Sequence, residues 1–176
     1  NQFGEDTDDD NDGMSDVLDD CPKGELNWTS TLETDRDQDG CRDAGEDLND
    51  DNDDYLDAND NCPYILGISS VDRRGCLDSD SDGYSDSDDN WTVDDGADAF
   101  PYESTQWRDS DLDGYGDNPE GFEADDCPSS AGTSEFDRRG CIDSDSDGYS
   151  NPDADWPAKV CPSLTGVCAD ALPDES

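Results

Sequence analysis

The chain contains no histidine, one methionine and only nine basic residues among its 176. Without histidine, the usual general base and a common zinc ligand are missing. The sequence also offers no CxxC pair and no nucleophile–base constellation, so we expect neither an enzyme nor a zinc protein. So few basic residues form no patch that could bind a nucleic acid backbone. No apolar run approaches the about 18 residues that span a bilayer, so we expect no direct membrane insertion.

Apolar residues are also scarce, at 29% of the chain, and eight of them are cysteines. Against them stand 52 acidic residues and a formal net charge of −43. Such a composition is typical of disordered chains, which bury too little apolar surface to offset conformational entropy. Two carboxylates 4 Å apart repel by about 4 kcal/mol at an effective dielectric constant of about 20. The chain is therefore either disordered or neutralised by cations, and its regular acid and cysteine spacing favours cations.

The segment 78–89 carries acidic side chains at positions 1, 3, 5, 9 and 12 of a twelve-residue loop, with glycine at position 6. This is the ligand spacing of a calcium loop, in which alternate carboxylates and the carbonyl of position 7 face one ion at about 2.4 Å. Glycine permits the sharp turn. The surrounding segment 71–85 recurs almost unchanged as 136–150, offset by 65 residues. A repeat of this fidelity indicates a structural unit.

Related spacing occurs six times, in loop 1 (8–19), loop 2 (35–46), loop 3 (49–60), loop 4 (78–89), loop 5 (109–120) and loop 6 (143–154). The predicted oxygen donors, in the order of positions 1, 3, 5, 7, 9 and 12, are Asp8, Asp10, Asp12, Met14, Asp16 and Asp19; Asp35, Asp37, Asp39, Cys41, Asp43 and Glu46; Asn49, Asp51, Asp53, Tyr55, Asp57 and Asp60; Asp78, Asp80, Asp82, Tyr84, Asp86 and Asp89; Asp109, Asp111, Asp113, Tyr115, Asp117 and Glu120; and Asp143, Asp145, Asp147, Tyr149, Asn151 and Asp153. Loop 3 has Asp54 in place of the glycine, and in loop 6 Asp153 substitutes for Ala154 at position 12. The predicted cofactor is calcium, with six or more ions.

The eight cysteines alternate between two kinds: four are followed by proline, and each of these is followed later by one that is not. Eight cysteines allow 105 pairings, but two successive pairs share one spacing, which favours pairing between neighbours. The predicted disulfides are Cys21–Cys41, Cys62–Cys76, Cys127–Cys141 and Cys161–Cys168. Disulfides are typical of proteins outside the cytosol.

Two further features have structural and functional interpretations. The stretch 91–107 contains Trp91, Phe100, Tyr102 and Trp107. These four side chains form either a small apolar cluster, which we favour, or a surface that binds sugars or a partner. The triplets that begin at Asn27 and Asn90 match the acceptor pattern for N-glycosylation, and the alternative is an ordinary polar turn. The paired arginines at 73–74 and 138–139 are interpreted as ion-pair partners of nearby aspartates.

The run Asp-x-Asp-x-Asp-Gly-x-x-Asp-x-x-Asp-x-Cys-Pro at 8–22 resembles the repeat unit of thrombospondin type 3 repeats. The likeness covers most of residues 6–156, except for the Arg-Arg-Gly-Cys segments and the stretch 91–107. The resemblance implies a calcium-wrapped, disulfide-linked chain with little helix or strand, in extracellular or surface proteins. It also implies that the aspartates named above are the ligands and that one repeat holds more than one ion. The acidic, tryptophan-containing style is similar to repeats in surface proteins of marine archaea and bacteria.

We therefore expect an irregular fold with little regular secondary structure, an elongated tandem array of EF-hand-like loops stabilised by calcium and disulfides. The expected segments are 1–61, with loops 1–3; 62–108, with loop 4 and the aromatic linker; and 109–176, with loops 5 and 6. The expected function is an extracellular or cell-surface structural protein, a calcium-rigidified rod or stalk that polymerises into a filament or lies within a larger surface protein. The alternative is a calcium-dependent adhesion module for glycans or a protein partner. We interpret the chain as a mature segment whose export signal has been removed.

Overall fold

The computed structural model describes residues 6–156. Within this range the backbone forms two 3-10 helices, Asp57–Asn59 and Val93–Asp95. Two isolated bridges join Asp88 to Trp91 and Gly116 to Ala124, and the remaining described residues are turns, bends and coil. None of the described helices is long and apolar enough to cross a membrane. The described part of the chain is almost free of regular secondary structure, which confirms the expected irregular fold.

The chain divides into two compact units, Asn1–Ser85 and Asp86–Ser176. The boundary falls inside the second of the three segments expected from the sequence. It also falls inside loop 4, so the last two predicted ligands of that loop, Asp86 and Asp89, belong to the second unit. The first unit contains loops 1–3 and the first half of loop 4, and the second contains loops 5 and 6.

All six loops share one backbone signature, a left-handed residue at position 4. These residues are Asn11, Gln38, Asn52, Ser81, Leu112 and Ser146, with φ between 56° and 67°. Five loops also have a left-handed glycine at position 6, with φ between 91° and 103°. Loop 3 has Asp54 at that position without a positive φ, so it turns without a left-handed residue there. The repeat seen in the sequence is therefore a repeat of local conformation.

Leu112 is the one left-handed residue of this set without a polar side chain. It has φ 65°, and its side chain is 68% exposed. The left-handed conformation costs an L-residue roughly 1–2 kcal/mol, and asparagine tolerates it best among side-chain-bearing residues. We expect Leu112→Asn to raise the free energy of unfolding in calcium by about 1 kcal/mol. Urea unfolding would measure this, and Leu112→Ala, which keeps the strain, should leave it nearly unchanged.

Three disulfides link parts of the chain that lie close in sequence. The pairs Cys21–Cys41, Cys62–Cys76 and Cys127–Cys141 are formed, each with 5.1 Å between Cα atoms, which confirms three of the four predicted pairs. The fourth, Cys161–Cys168, lies outside the described residues. A backbone hydrogen bond accompanies each link, for example from the N–H of Asp20 to the carbonyl of Asp39 at 2.8 Å. In the chain-entropy model each link contributes roughly 3 kcal/mol.

The interior of the described chain inverts the usual distribution of side chains. Every described leucine and isoleucine is exposed, and the buried apolar residues are Cys41, Cys76, Ala97 and Cys141. The buried acids are Asp10, Asp12, Asp19, Asp35, Asp50, Asp51, Asp78, Asp98 and Asp125. Aspartate is almost never fully buried unless it is paired or coordinates a metal. The hydrophobic effect therefore cannot be the main force that holds this fold together.

Candidate metal sites

Groups of three aspartates bring their carboxylate oxygens within 4.8 Å of one another at several places in the chain. Five of these groups are Asp8/Asp10/Asp12, Asp35/Asp37/Asp39, Asp43/Asp47/Asp50, Asp51/Asp53/Asp60 and Asp78/Asp80/Asp82. Four of the five each lie within a single predicted calcium loop. The group Asp43/Asp47/Asp50 combines Asp43 of loop 2, Asp50 of loop 3 and Asp47 between the two loops. At such separations each pair of full charges repels by several kcal/mol, so each group can hold a divalent cation and is strained without one.

The loops orient these carboxylates with backbone hydrogen bonds. In loop 1, Oδ1 of Asp12 accepts the N–H of Met14 at 2.7 Å, and Oδ1 of Asp16 accepts the N–H of Asp9 at 2.8 Å. The first bond, from position 7 to position 5, recurs in all six loops. The second, from position 2 to position 9, is present in loops 1, 2, 3, 5 and 6. At position 5, Oδ1 thus fixes the loop, and in Asp12, Asp53 and Asp82 the buried Oδ2 accepts no hydrogen bond and remains for a cation.

A second kind of aspartate closes three of the loops. Asp19, Asp60 and Asp125 each stand two residues before a disulfide-bonded cysteine and accept its N–H at 2.7 Å through Oδ1. Oδ2 of all three is buried and accepts no hydrogen bond. A buried carboxylate oxygen without a partner costs several kcal/mol, and its recurrence at one structural position is what a cation ligand would require.

Further oxygens in the same loops lack hydrogen-bond partners. Buried carboxylate oxygens of this kind belong to Asp8, Asp12, Asp37, Asp51, Asp53 and Asp82. Within the described part of the chain, the carbonyls at position 7 of loops 1, 2, 3, 5 and 6 accept no hydrogen bond either. Carboxylates and one backbone carbonyl are the hard oxygen donors that calcium prefers.

The pKa values show how unfavourable these charges are without a cation. Burial raises the pKa of Asp37 to about 7, with the Asp39 carboxylate as the next contribution. Burial also raises the pKa of Asp19 to about 6; the hydrogen bond from Cys21 opposes this shift, and the charge of Asp10 adds to it. Protons therefore compete with cations for these carboxylates.

Loop 5 is completed by a residue that the spacing does not predict. Glu120, predicted at position 12, is exposed. Asp125 instead occupies the closing role, and burial raises its pKa to about 6, with Asp113 among the charges that add to the shift. The intervening residues are held by Gln106, which is fully buried and whose Nε2 donates to the carbonyls of Asn118 and Phe122. The signal that could have found Asp125 is its place two residues before Cys-Pro, as for Asp19 and Asp60.

Loop 2 departs from the prediction in a similar way. The carboxylate of Glu46 accepts the N–H of Glu25 at 2.9 Å and lies outside the clusters described above. The next residue, Asp47, faces the loop: its charge raises the pKa of Asp37, and its own Oδ2 is buried without a partner. Asp47 also accepts the N–H of Asn49 at 2.9 Å, two residues on, as the other closing aspartates do. In loop 2 the carboxylate in the closing position is therefore that of Asp47, one residue after the predicted Glu46.

In loop 6 the predicted closing acid, Asp153, is paired with an arginine. Nη1 of Arg138 donates to Asp153 at 2.7 Å, and its Nε donates to Ser150 at 3.1 Å. Asp153, predicted as a ligand, is thus the partner of a guanidinium, which lowers its pKa. This bond confirms the predicted ion pairing for Arg138, whose guanidinium also lies 5.4 Å from the ring centre of Trp156. At position 9, Oδ1 of Asn151 accepts the N–H of Ser144.

The other predicted ligands and the two glycosylation candidates differ in exposure and in hydrogen bonding. Asn49 at position 1 of loop 3 donates from Nδ2 to the carbonyl of Asp53, so its amide braces the loop. Asp89 at position 12 of loop 4 is exposed. Asn27 and Asn90, the two glycosylation candidates, are both exposed, and Asn27 has a left-handed backbone with φ 69°. Their modification stays a prediction.

A matched pair of glycines tests whether Asp19, at the end of loop 1, lies against loop 2. Gly40 and Gly114 occupy the same loop position, with φ of 92° and 96°. A Cβ at Gly40 would stand 2.3 Å from Oδ1 of Asp19, whereas at Gly114 it would meet nothing within 4 Å. Both alanine variants should lose about 1 kcal/mol through backbone strain. We expect only Gly40→Ala also to weaken calcium binding, as measured by calorimetric titration, and equal titrations would contradict the placement of Asp19.

Comparisons with known proteins add no assignment to this geometry. No protein-family model matches the chain, and no curated protein matches it either.

Proposed function

We propose that the protein is an extracellular calcium-binding structural protein, in which calcium ions seated in the Asp-rich loops replace a hydrophobic core. The observation that carries the proposal is the set of buried carboxylate oxygens without partners, above all Oδ2 of Asp19, Asp60 and Asp125. A fold with this interior needs several cations to exist at neutral pH. A structural role requires no catalytic group, and the proposed role includes none.

Calcium is the cation that suits these donors best. The clusters offer only oxygen, from carboxylates and backbone carbonyls, which excludes a preference for the softer metals that select sulfur or imidazole. Magnesium requires a near-ideal octahedron at about 2.1 Å and keeps several waters, whereas calcium accepts six to eight oxygens in irregular geometry. Loops that present four or more carboxylates and a carbonyl therefore favour calcium.

The extracellular location is supported by the disulfides and agrees with the proposed calcium binding. Three disulfides lie within the described residues, and such links persist in oxidising compartments. Calcium modules outside cells bind with dissociation constants of about 0.1–1 mM, which matches calcium levels there and not those of a cytosol. The thrombospondin type 3 resemblance of the run 8–22 agrees with this location.

We propose that the loops form a rod or stalk that self-associates, as a filament or within a larger surface protein. Support comes from the exposed apolar side chains, including Val17 at 88% and Leu18 at 74% exposure. Exposed apolar side chains are buried when copies of a chain associate. A net charge of −43 opposes association unless cations bridge the acidic surfaces. Self-association should therefore require calcium.

Two measurements on the whole chain test the proposal. Native mass spectrometry should count six or more calcium ions, and magnesium at equal concentration should not replace them. Sedimentation velocity and negative-stain imaging should show calcium-dependent elongated particles or assemblies. A chain that binds no calcium, or a compact monomer unaffected by chelation, would overturn the proposal.

The adhesion alternative has one specific observation in its favour. Tyr102 is 87% exposed and so lies outside any apolar cluster in the stretch 91–107, whereas Trp91, Phe100 and Trp107 are half-buried. Exposed aromatic rings are common contacts for sugars and protein partners. A glycan-array signal that requires calcium and disappears in Tyr102→Ala would favour adhesion. Val93→Ala, in the same stretch, is the matched control.

A further inference from the structure

We propose that a divalent cation, in addition to those of the six loops, is held by Asp43, Asp47 and Asp50 and joins loop 2 to loop 3. This inference rests on the proposed calcium binding of the loops, and it gives Asp43 and Asp47, which also face loop 2, a second cation that they share with Asp50. Asp47 lies between the two twelve-residue loops, and Asp50 is at position 2 of loop 3, which is not a predicted ligand position. Their carboxylate oxygens and that of Asp43 nevertheless lie within 4.8 Å of one another.

Asp50 provides an independent indication that the cluster binds a ligand. Asp50 is buried, with a relative exposure of 3%, and its Oδ1 accepts no hydrogen bond. Oδ2 of Asp47 is likewise buried without a partner. A fourth acid, Asp57, lies beside them, because its Oδ1 accepts the N–H of Asp50 at 2.9 Å. Carboxylate oxygens that converge in this way, with Oδ1 of Asp50 and Oδ2 of Asp47 left without a hydrogen-bond donor, suit a calcium ion.

The burial of Asp50 is not a consequence of loop geometry. Asp50 is at position 2 of loop 3, and the residue at position 2 of loop 1 is Asp9. Asp9 is exposed and lies 3.4 Å from Nζ of Lys23. The same loop position therefore leaves an acid in solvent in loop 1 and buries one in loop 3. Arg42, the nearest base in sequence, does not neutralise the cluster, because its guanidinium pairs with Glu25 at 2.7 Å.

The position of the cluster explains what the cation would do. Cys21–Cys41 links the end of loop 1 to loop 2, Cys62–Cys76 links the end of loop 3 to the start of loop 4, and Cys127–Cys141 links loop 5 to loop 6. Among the described residues, no disulfide joins loop 2 to loop 3. Asp43 and Asp47 come from the end of loop 2, whereas Asp50 and Asp57 come from loop 3. One shared cation thus takes the place of the covalent link that the junctions of loops 1 and 2, 3 and 4, and 5 and 6 have.

The test is the number of calcium ions bound by the whole, disulfide-intact chain. We expect Asp50→Asn and Asp50→Ala to bind one ion fewer than the wild type by native mass spectrometry, with the other sites still filled. The matched control is Asp54→Asn, which removes the same charge from an exposed residue of the same loop. Amide exchange at the junction 47–50 should accelerate in the Asp50 variants and not in the control.

Equal ion counts for Asp50→Asn and Asp54→Asn would overturn the inference. A wild type that binds no calcium would instead overturn the proposed function. If both Asp50 variants fail to fold, anomalous diffraction from the calcium-loaded wild type decides the question. A peak between Asp43, Asp47 and Asp50 would support the site. Peaks in the loops, with no peak between these three aspartates, would contradict it.

Discussion

Removing calcium should unfold the chain even though its disulfides stay intact. Each site filled at tenfold excess over its dissociation constant contributes about 1.4 kcal/mol, so loops 1, 2, 3 and 5 alone contribute about 6 kcal/mol. This is comparable with the whole stability of an ordinary domain, which is about 5–15 kcal/mol. No apolar core compensates, since the buried apolar residues of the described chain are three half-cystines and one alanine. We therefore expect loss of near-ultraviolet dichroism and of amide protection on chelation, and recovery on addition of calcium.

Two controls separate this result from a general effect of salt. Magnesium at the same ionic strength should restore neither signal, because it fits an irregular oxygen site poorly. A double variant, Asp19→Asn with Asp60→Asn, should require more calcium for the same recovery, because two of the closing carboxylates of the first unit lose their charge. Chelated protein that keeps its amide protection would show that hydrogen bonds and disulfides alone hold the fold, contrary to the expectation.

The conformation of the loops could be predicted from the sequence because it is local. Position 4 is left-handed in every loop, whether it is asparagine, glutamine, serine or leucine. The common geometry therefore comes from the flanking aspartates, whose carboxylates accept nearby N–H groups two to five residues away. Three disulfides could be predicted for a similar reason, since the repeat fixes which cysteines are neighbours.

The closing ligands could be predicted only in part because they depend on distant contacts. Asp125 lies eight positions after Asp117, whereas Asp19 lies three positions after Asp16. The longer segment is accommodated by Gln106, which approaches Gly116 so closely that a Cβ there would stand 2.1 Å from its Cδ. Nothing in the spacing of the acids indicates this contact.

Two other closing positions show the same limit. In loop 2, Glu46 reaches the N–H of Glu25, 21 residues earlier, so Asp47 takes its place. In loop 6, Arg138 pairs with Asp153 across 15 residues. The pattern of acids predicts where a ligand is available, whereas the choice among adjacent acids depends on partners elsewhere in the chain.

Acidification should have opposite effects on the calcium-free and calcium-loaded chains. Burial raises the pKa of Asp37 and of Asp50 to about 7, and those of Asp19 and Asp125 to about 6, from the usual aspartate value of 3.8. A carboxyl whose pKa is higher in the folded chain disfavours folding above that value, and the penalty disappears as the pH falls through it. Between about pH 4 and 7 the folded chain binds more protons than the unfolded chain, so its stability falls as the pH rises.

Without calcium, the chain should therefore be unfolded at pH 7.5 and should regain amide protection as the pH is lowered to 5.5. With calcium in excess, the dependence of stability on pH reverses, because the cations hold the carboxylates ionised and protons displace them. Calcium is best removed with a chelating resin, since soluble chelators lose affinity in acid. Asp37→Asn should weaken the pH dependence of folding in the calcium-free chain. Asp54→Asn, which removes an exposed charge, should leave that dependence unchanged. A pH dependence of the same sign with and without calcium would show that protons and calcium do not compete for these oxygens.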